Sequence, residues 1–524
     1  MHTQFCDQAL TTHGLSRFWN RLYKKSFSVF CFLVFAFSAA AVFTGCAEEE
    51  RFLRYALAGN PDTLDPQKTS GTLTFQIAKS VYDTLVEPDA EGVIVPALAE
   101  SWTISADGKL LTFRLREGVK FHDGSPLTGR DVAATIRRIQ DPATASPKAM
   151  EFACVGEILC PQELVVQFVL NTPTAPLLAS LASGWSAILP AALIEAGHNF
   201  ASQPVGTGPF IFDEWIRDNH ISVKKNPAYW KTGYPHLPGI DFRVILEKAV
   251  QVQGLLTGQM DVCDLYDDVD VSTLKQNPET TVQKALTSLV MVAAMNTSRG
   301  PLSNLKLRQA INHAIDKQSV LDIAYGGGEP VGTFMDYGDP YYKDFTDLYP
   351  YNPEKAIDLV RQSGVKFTEP LDMVVPQNYE YHVRAAQLYQ EMLAKAGIPV
   401  EIRLVDWSTW MGDVYRKANF DITVIGHTGK LDPDARLGGY GTEETYTRWI
   451  NAETVRLLEK ARTTSGFEAR KKAYDRILEI MAREVPFVYT GTPYRYTGLR
   501  SAVEGYIMLP KIDTPDFRGV TLRE

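Results

Sequence analysis

The stretch from Leu371 to Gly426 constrains the fold most, because three β-branched runs alternate there with helical patterns. Leu371-Asp372-Met373-Val374-Val375 reads as a strand. A helix is expected from His382 to Ala396, stopped by Gly397 and Pro399. Val400–Val405 reads as the next strand, Ser408 stands where a cap for a second helix is needed, and Phe420–Ile425 reads as a third strand. Short strands alternating with amphipathic helices imply an α/β architecture. In open α/β sheets ligands sit beyond the carboxyl ends of strands. By position alone, Val375–Tyr381, Trp407–Trp410 and His427–Asp434 are therefore candidate pocket loops.

The chain has 524 residues, too many for a single hydrophobic core, so two or three lobes are expected. Trp102–Ser105 and Leu110–Leu115 flank Asp107-Gly108, which predicts a hairpin. Leu307, Ala310, Ile311, Ala314, Ile315 and Leu321 mark one face of a helix that Gly326-Gly327-Gly328 ends. Those glycines follow a helix instead of opening one, so they read as a stop and turn, not as a phosphate loop.

The amino terminus differs in character from the rest. Arg21, Lys24 and Lys25 precede an apolar run from Phe27 to Phe43, followed by Thr44-Gly45-Cys46. Positive charge, apolar stretch and small residues are the layout of an export signal. Cys46 directly after Thr-Gly resembles a bacterial lipoprotein signal, in which the cysteine is lipidated; the other readings are a plain signal or an uncleaved anchor. Removing residues 1–45 takes four of 53 basic and one of 62 acidic residues, and leaves a formal charge of −12. Such an acidic chain argues against a nucleic-acid partner, which favours a basic face. Cys154 and Cys160 lie in one short segment where a local disulfide is possible in an oxidising compartment. No nearby histidine completes a metal tetrahedron with them.

Several segments together resemble the extracytoplasmic solute-binding proteins of ABC importers, in family 5, which includes dipeptide-, oligopeptide- and nickel-binding proteins. Pro96–Trp102 running through Leu115–Leu127 is similar to the family's long signature. Thr63–Pro66, Gly206–Phe210, Asn226–Trp230, Met295–Thr297, Arg308–Asp316 and Tyr351–Ala356 agree in order. The resemblance implies a periplasmic binding protein-like II fold: two hinged α/β lobes around a ligand cleft, with an extra domain inserted in lobe I. Carried over, lobe I would comprise 52–75, 205–290 and 488–524, the inserted domain 76–204, and lobe II 291–487. It further implies a small-molecule solute, peptide by family default, ABC permease subunits as partners, a monomer anchored to a membrane outside the cytoplasm, and no cofactor.

Site expectations follow from the same resemblance. An aromatic matching Trp407 lines the pocket of the resembled peptide binders. In the loop after Phe420-Asp421, an aspartate of those relatives pairs with the ligand's amino group, and Lys430 holds that place here. A lysine repels an ammonium and attracts a carboxylate or phosphate. The loop is about one residue shorter before Asp432-Pro433-Asp434, so Asp432 could shift in and restore the acid. Val424 replaces a basic residue used by some relatives, and His427 stands where several have tryptophan. Tyr379, Trp407, His427, Lys430 and Asp432 are the ligand-binding candidates. His122-Asp123 has no nucleophile beside it and reads as a structural turn. Asp267-Asp268 with Asp270 lacks the glycine and glutamate of a calcium loop and reads as a solvated loop. A lipid-anchored hydrolase, the reading from another class, would need Gly-x-Ser-x-Gly or His-Glu-x-x-His, and neither motif occurs. A non-peptide cargo (anionic, nickel-chelate or glycoside) and a chemosensing role remain as alternatives.

Overall fold

The Leu371–Pro376 strand pairs in parallel with Val400–Val405 on one side and with Ile422–His427 on the other. Between the first two runs helix Glu380–Lys395, which buries Ala385, Ala386, Tyr389 and Leu393. This is a computed structural model, describing residues 51–524 except Ser70, Tyr266, Asp267, Pro510 and Glu524. The segment expected to be an export signal, with Cys46, and Asp267 of the acidic cluster lie outside the described residues. No helix among the described residues is long and apolar enough to cross a membrane.

Three local expectations are corrected. Ser408 does not cap the helix after Val405; the Asp406 carboxylate accepts the Thr409 N–H at 3.0 Å and the Ser408 hydroxyl at 2.7 Å. Aspartate is as strong a cap as serine, and Asp406, two residues before Ser408, holds the N-cap position itself. The third strand begins at Ile422, because Phe420 is buried in the core and Asp421 turns its carboxylate onto the Asp372 N–H. The single helix expected over Leu307–Leu321 is two, Leu305–Ala314 and Lys317–Tyr325. Ile315 is extended, and Asp316 caps the second by accepting the Ser319 N–H at 3.1 Å. Gly326, at φ 72°, closes that helix in the left-handed conformation.

Residues from Phe52 onward form one compact unit. Its main sheet runs, in spatial order, Val400–Val405, Leu371–Pro376, Ile422–His427, Val290–Met295, Phe487–Arg500, Val262–Leu265, Leu53–Leu57, Gly239–Val244, His220–Lys225, Phe210–Ile216. Phe487–Arg500 is the strand that joins its halves. Its first residues pair with Val290–Met295, through Phe487 opposite Ala294 and Val488 opposite Ala293. Its later residues pair with Val262–Leu265 and with Thr280–Leu286. Cores on either side differ accordingly. One is built around Val290, Phe334, Trp410 and Phe487, and a neighbour around Met373, Tyr389 and Val488. Another gathers Leu53, Phe210, Phe242 and Phe517.

A separate four-stranded sheet, Ala99–Ile104, Leu110–Leu115, Val165–Leu170, Val155–Gln162 in spatial order, has its own core around Phe113, Phe152 and Phe168. The predicted hairpin is its first pair, with Gly108 at φ 69° in the turn. The possible Cys154–Cys160 bridge is not formed in this structure: both thiols are free, and Cys160 lies within the extended strand Val155–Gln162 that begins directly after Cys154. Six extended residues span roughly 20 Å, whereas bridged cysteines have Cα atoms within about 7 Å. The His122-Asp123 pair closes a tight turn, in which the Asp123 carboxylate accepts the Ser125 N–H and His122 Nε2 bonds the Gly208 carbonyl at 3.0 Å. Burial holds that imidazole's pKa down at about 4.

Candidate ligand site

A cavity of about 1390 Å³ opens between the two ends of the molecule that Phe487–Arg500 joins. Its walls come from helix Thr72–Val81, from residues 147–187, from the 283–289 crossing, from Thr428–Ala435 and from residues 506–514. Phe75 and Trp185 form an apolar face, with ring centroids 4.3 Å apart, and the Trp185 indole N–H is spent on the Thr69 carbonyl at 2.8 Å. Small-molecule pockets measure roughly 300–1,000 Å³, so this one has room for a ligand of several residues' bulk.

The Thr428–Ala435 loop extends from the end of the Ile422–His427 strand, whose register sets His427 opposite Val290. Arg436, fully buried, pins the loop: its guanidinium donates to the carbonyls of Thr428 at 2.9 Å, Ser288 at 3.0 Å and Phe334 at 2.9 Å. Gly429 is pressed on Ser288 so closely that a Cβ there would lie 1.9 Å from the Ser288 hydroxyl. Any side chain there would have to displace Ser288 or the loop, and the contact fixes the backbone just before Lys430. Burial lowers the Lys430 pKa, and the Lys148 ammonium across the cavity lowers it further, with Glu151 acting in the opposite sense. Lys148 itself is ion-paired with Glu151 and lies 4.8 Å from the Trp185 ring centroid.

Among the described residues, every acid on the wall already has a partner. Asp432 is held at both oxygens by Arg470, at 2.6 and 2.8 Å, with both groups buried. It therefore does not take the place of the missing ammonium-binding acid. Asp434 pairs with Arg462 at 3.0 Å, and Glu87 is surrounded by Lys79, Lys231 and Arg518. Asp83 accepts from Thr207, Tyr229 and Trp230, and burial raises its pKa. Asp513 pairs with Arg495.

Of the five sequence candidates, Lys430 and Asp432 reach the cavity wall. His427 turns into the core instead, 2.7 Å from the Tyr446 hydroxyl and edge-on to Phe334. Burial and the nearby Arg436 and Lys430 charges keep its pKa at about 3, so it is neutral. Trp407 stacks on Trp410 at 5.1 Å and meets Tyr379 edge-on at 5.6 Å. That aromatic cluster stands at the same carboxyl edge of the sheet, off the cavity wall, with Trp407 41% exposed. Lys148, Phe75 and Trp185 were not legible as site residues, because they come from segments far away in sequence and carry no local motif.

One sheet whose halves share a strand, a separate sheet with its own core and a large cavity beside the shared strand are features of a binding-protein architecture. The family model for bacterial extracellular solute-binding proteins, family 5 (middle), matches residues 93–447, and the chain belongs to that family. It is 30% identical to di/tripeptide-binding protein 2 of Pseudomonas aeruginosa, covering 94% of this chain and 98% of the relative. It is 28% identical to the glutathione-binding protein GsiB of Escherichia coli K12, over 70% of this chain and 72% of that protein. Among solved structures it is similar to the binding protein AgaA from A. tumefaciens R10 in complex with agropinic acid. The two share 29% identity and a TM-score of 0.73, covering 90% of this chain and 99% of that one. The fold is accordingly that of the two-lobed periplasmic binding proteins, and members of the family serve transport by binding, not by catalysis.

Proposed function

We propose that this solute-binding protein captures peptides or peptide-like solutes of a few residues for an ABC permease, while tethered to a membrane through lipidated Cys46. The observation that carries the cargo reading is the cavity of about 1390 Å³, together with relatives named for di- and tripeptides and for glutathione. Lobe I would comprise 52–75, 205–290 and 488–524, the inserted domain 76–204, and lobe II 291–487. The shared strand Phe487–Arg500 and the crossing at residues 287–289 would form the hinge. Ligand contacts from both lobes make closure favourable in proportion to the ligand's preference for the closed form. Calorimetric titration of the purified protein with di-, tri- and tetrapeptides tests the cargo. Heat and a thermal shift with short peptides are expected, and their absence for every peptide would overturn the peptide reading. Mass spectrometry of the membrane-extracted chain checks the tether: a lipid adduct on Cys46, lost in Cys46→Ser, is expected.

A further inference from the structure

We propose that Lys430 is the specificity-determining residue of this cavity and that it selects solutes presenting a carboxylate to the gap between Lys430 and Lys148. The inference rests on the cavity being the ligand site and deepens that reading.

Charge accounting over the wall carries it. Lys79, Lys148, Arg462, Arg495 and Lys511 all have carboxylate partners, and Lys284 lies 3.4 Å from the Tyr494 ring centroid. Among the described residues, Lys430 is the one lining cation with neither a carboxylate nor a ring as partner. The wall's carboxylates are meanwhile engaged, so none is left to move over. A half-buried ammonium without a partner keeps an unmet electrostatic demand. The Glu151 charge favours the ammonium, but that carboxylate is already committed to Lys148 and to the Ser180 hydroxyl at 3.0 Å.

Geometry gives the demand a direction. Lys430 enters from the loop locked by Gly429 against Ser288 and by Arg436, so it is positioned before a ligand arrives. Lys148 reaches the same cavity from the 147–187 segment, over Trp185. The Lys148 charge disfavours the Lys430 ammonium, and a solute carboxylate that reaches both would turn that repulsion into charge-assisted hydrogen bonds. The same arrangement penalises a ligand whose ammonium points there, which is discrimination by repulsion as well as attraction. The adjoining Phe75–Trp185 face would receive the apolar part of the same solute.

The test uses ligand-stripped, refolded protein and four tripeptides: Ala-Glu-Ala, Ala-Gln-Ala, and the C-terminal amide of each. Citrate is a fifth, non-peptide probe. For the wild type, removing the carboxylate that Lys430 reads should weaken binding about tenfold or more, by the strength of a charge-assisted bond. Loss on the Glu-to-Gln change assigns a side-chain carboxylate, and loss on amidation assigns the terminal one. Lys430→Met should erase that difference, Lys430→Arg should keep it, and both variants should melt no lower than the wild type. Equal binding of all four tripeptides, or wild-type affinities in Lys430→Met, overturns the proposal. If no tripeptide binds but citrate does, with a loss in Lys430→Met, the peptide reading falls and the carboxylate inference stands. Citrate binding indifferent to residue 430, or silence of every probe, overturns it.

Discussion

The ammonium of Lys511, in the carboxyl-terminal segment, is buried between Asp336 and Asp339, with 3.0 Å to the latter. The lysine follows residues packed with the Leu53–Phe517 core, whereas the aspartates belong to the segment that carries Phe334 and Tyr341 into the Val290–Phe487 core. One buried ion cluster thus ties together the two ends that enclose the cavity.

Lys511→Met leaves two buried carboxylates facing each other, with Arg436 3.8 Å from Asp336 as the nearest cation. Removing one partner of a buried pair costs about 3–5 kcal/mol. Urea denaturation should show a loss of that order, and the triple variant with Asp336→Asn and Asp339→Asn should recover much of it. An unchanged midpoint in Lys511→Met would show that the cluster is not formed in solution.

Asp432 and Arg470 make the same kind of test in a different place. Asp432→Ala should destabilise by about 3–5 kcal/mol, because it strands the Arg470 guanidinium between Tyr341 and Tyr474. Asp432→Ala with Arg470→Leu should be closer to wild type than either alone, read as the coupling in a double-mutant cycle.

Gly429→Ala should drive the loop off Ser288, since the new methyl would sit 2.2 Å from the Ser288 Cβ. Overpacking of this kind costs about 1–3 kcal/mol. The displacement of Lys430 should weaken binding of the best carboxylate ligand more than it lowers the melting temperature. Gly429→Ala combined with Ser288→Gly should restore affinity, measured by calorimetry.

His382 is buried, with its Nδ1 hydrogen-bonded to the Tyr325 hydroxyl at 3.1 Å, and burial lowers its pKa to about 3. An unfolded histidine titrates near 6.5. Below that pH the unfolded chain binds a proton that the folded chain refuses, so this contribution is complete above 6.5 and is lost as pH falls towards 3. At pH 5 the loss is on the order of 2 kcal/mol. His382→Gln should flatten the fall of urea midpoints between pH 6.5 and 4.5 by about one proton relative to wild type.

The sequence made some of this legible and hid the rest for physical reasons. The unit around Leu371 was readable because period-two and period-3.6 hydrophobicity survive in a single chain. The break at Ile315-Asp316 was not, since an apolar face continues across it while one capping carboxylate ends the helix. Lys430 could be singled out because it stands in a strand-end loop. Its partner across the cavity, Lys148, is some 280 residues away, and only the folded chain brings them together. Asp432 shows the converse: a plausible ligand acid by spacing, it is taken by Arg470 from the last long helix, Phe467–Glu484. Cys154 and Cys160 are close in sequence, but the extended strand keeps them apart.

The strand Phe487–Arg500 carries a last consequence, for how the protein comes apart. Fourteen residues of one segment are hydrogen-bonded at one end to Val290–Met295 and at the other to Val262–Leu265 and Thr280–Leu286. Fraying either ladder removes a neighbour from the other, so the two halves share the cost of losing it. Their melting is therefore coupled through a common backbone, and heating should yield one calorimetric peak for both cores where two tethered globules would give two.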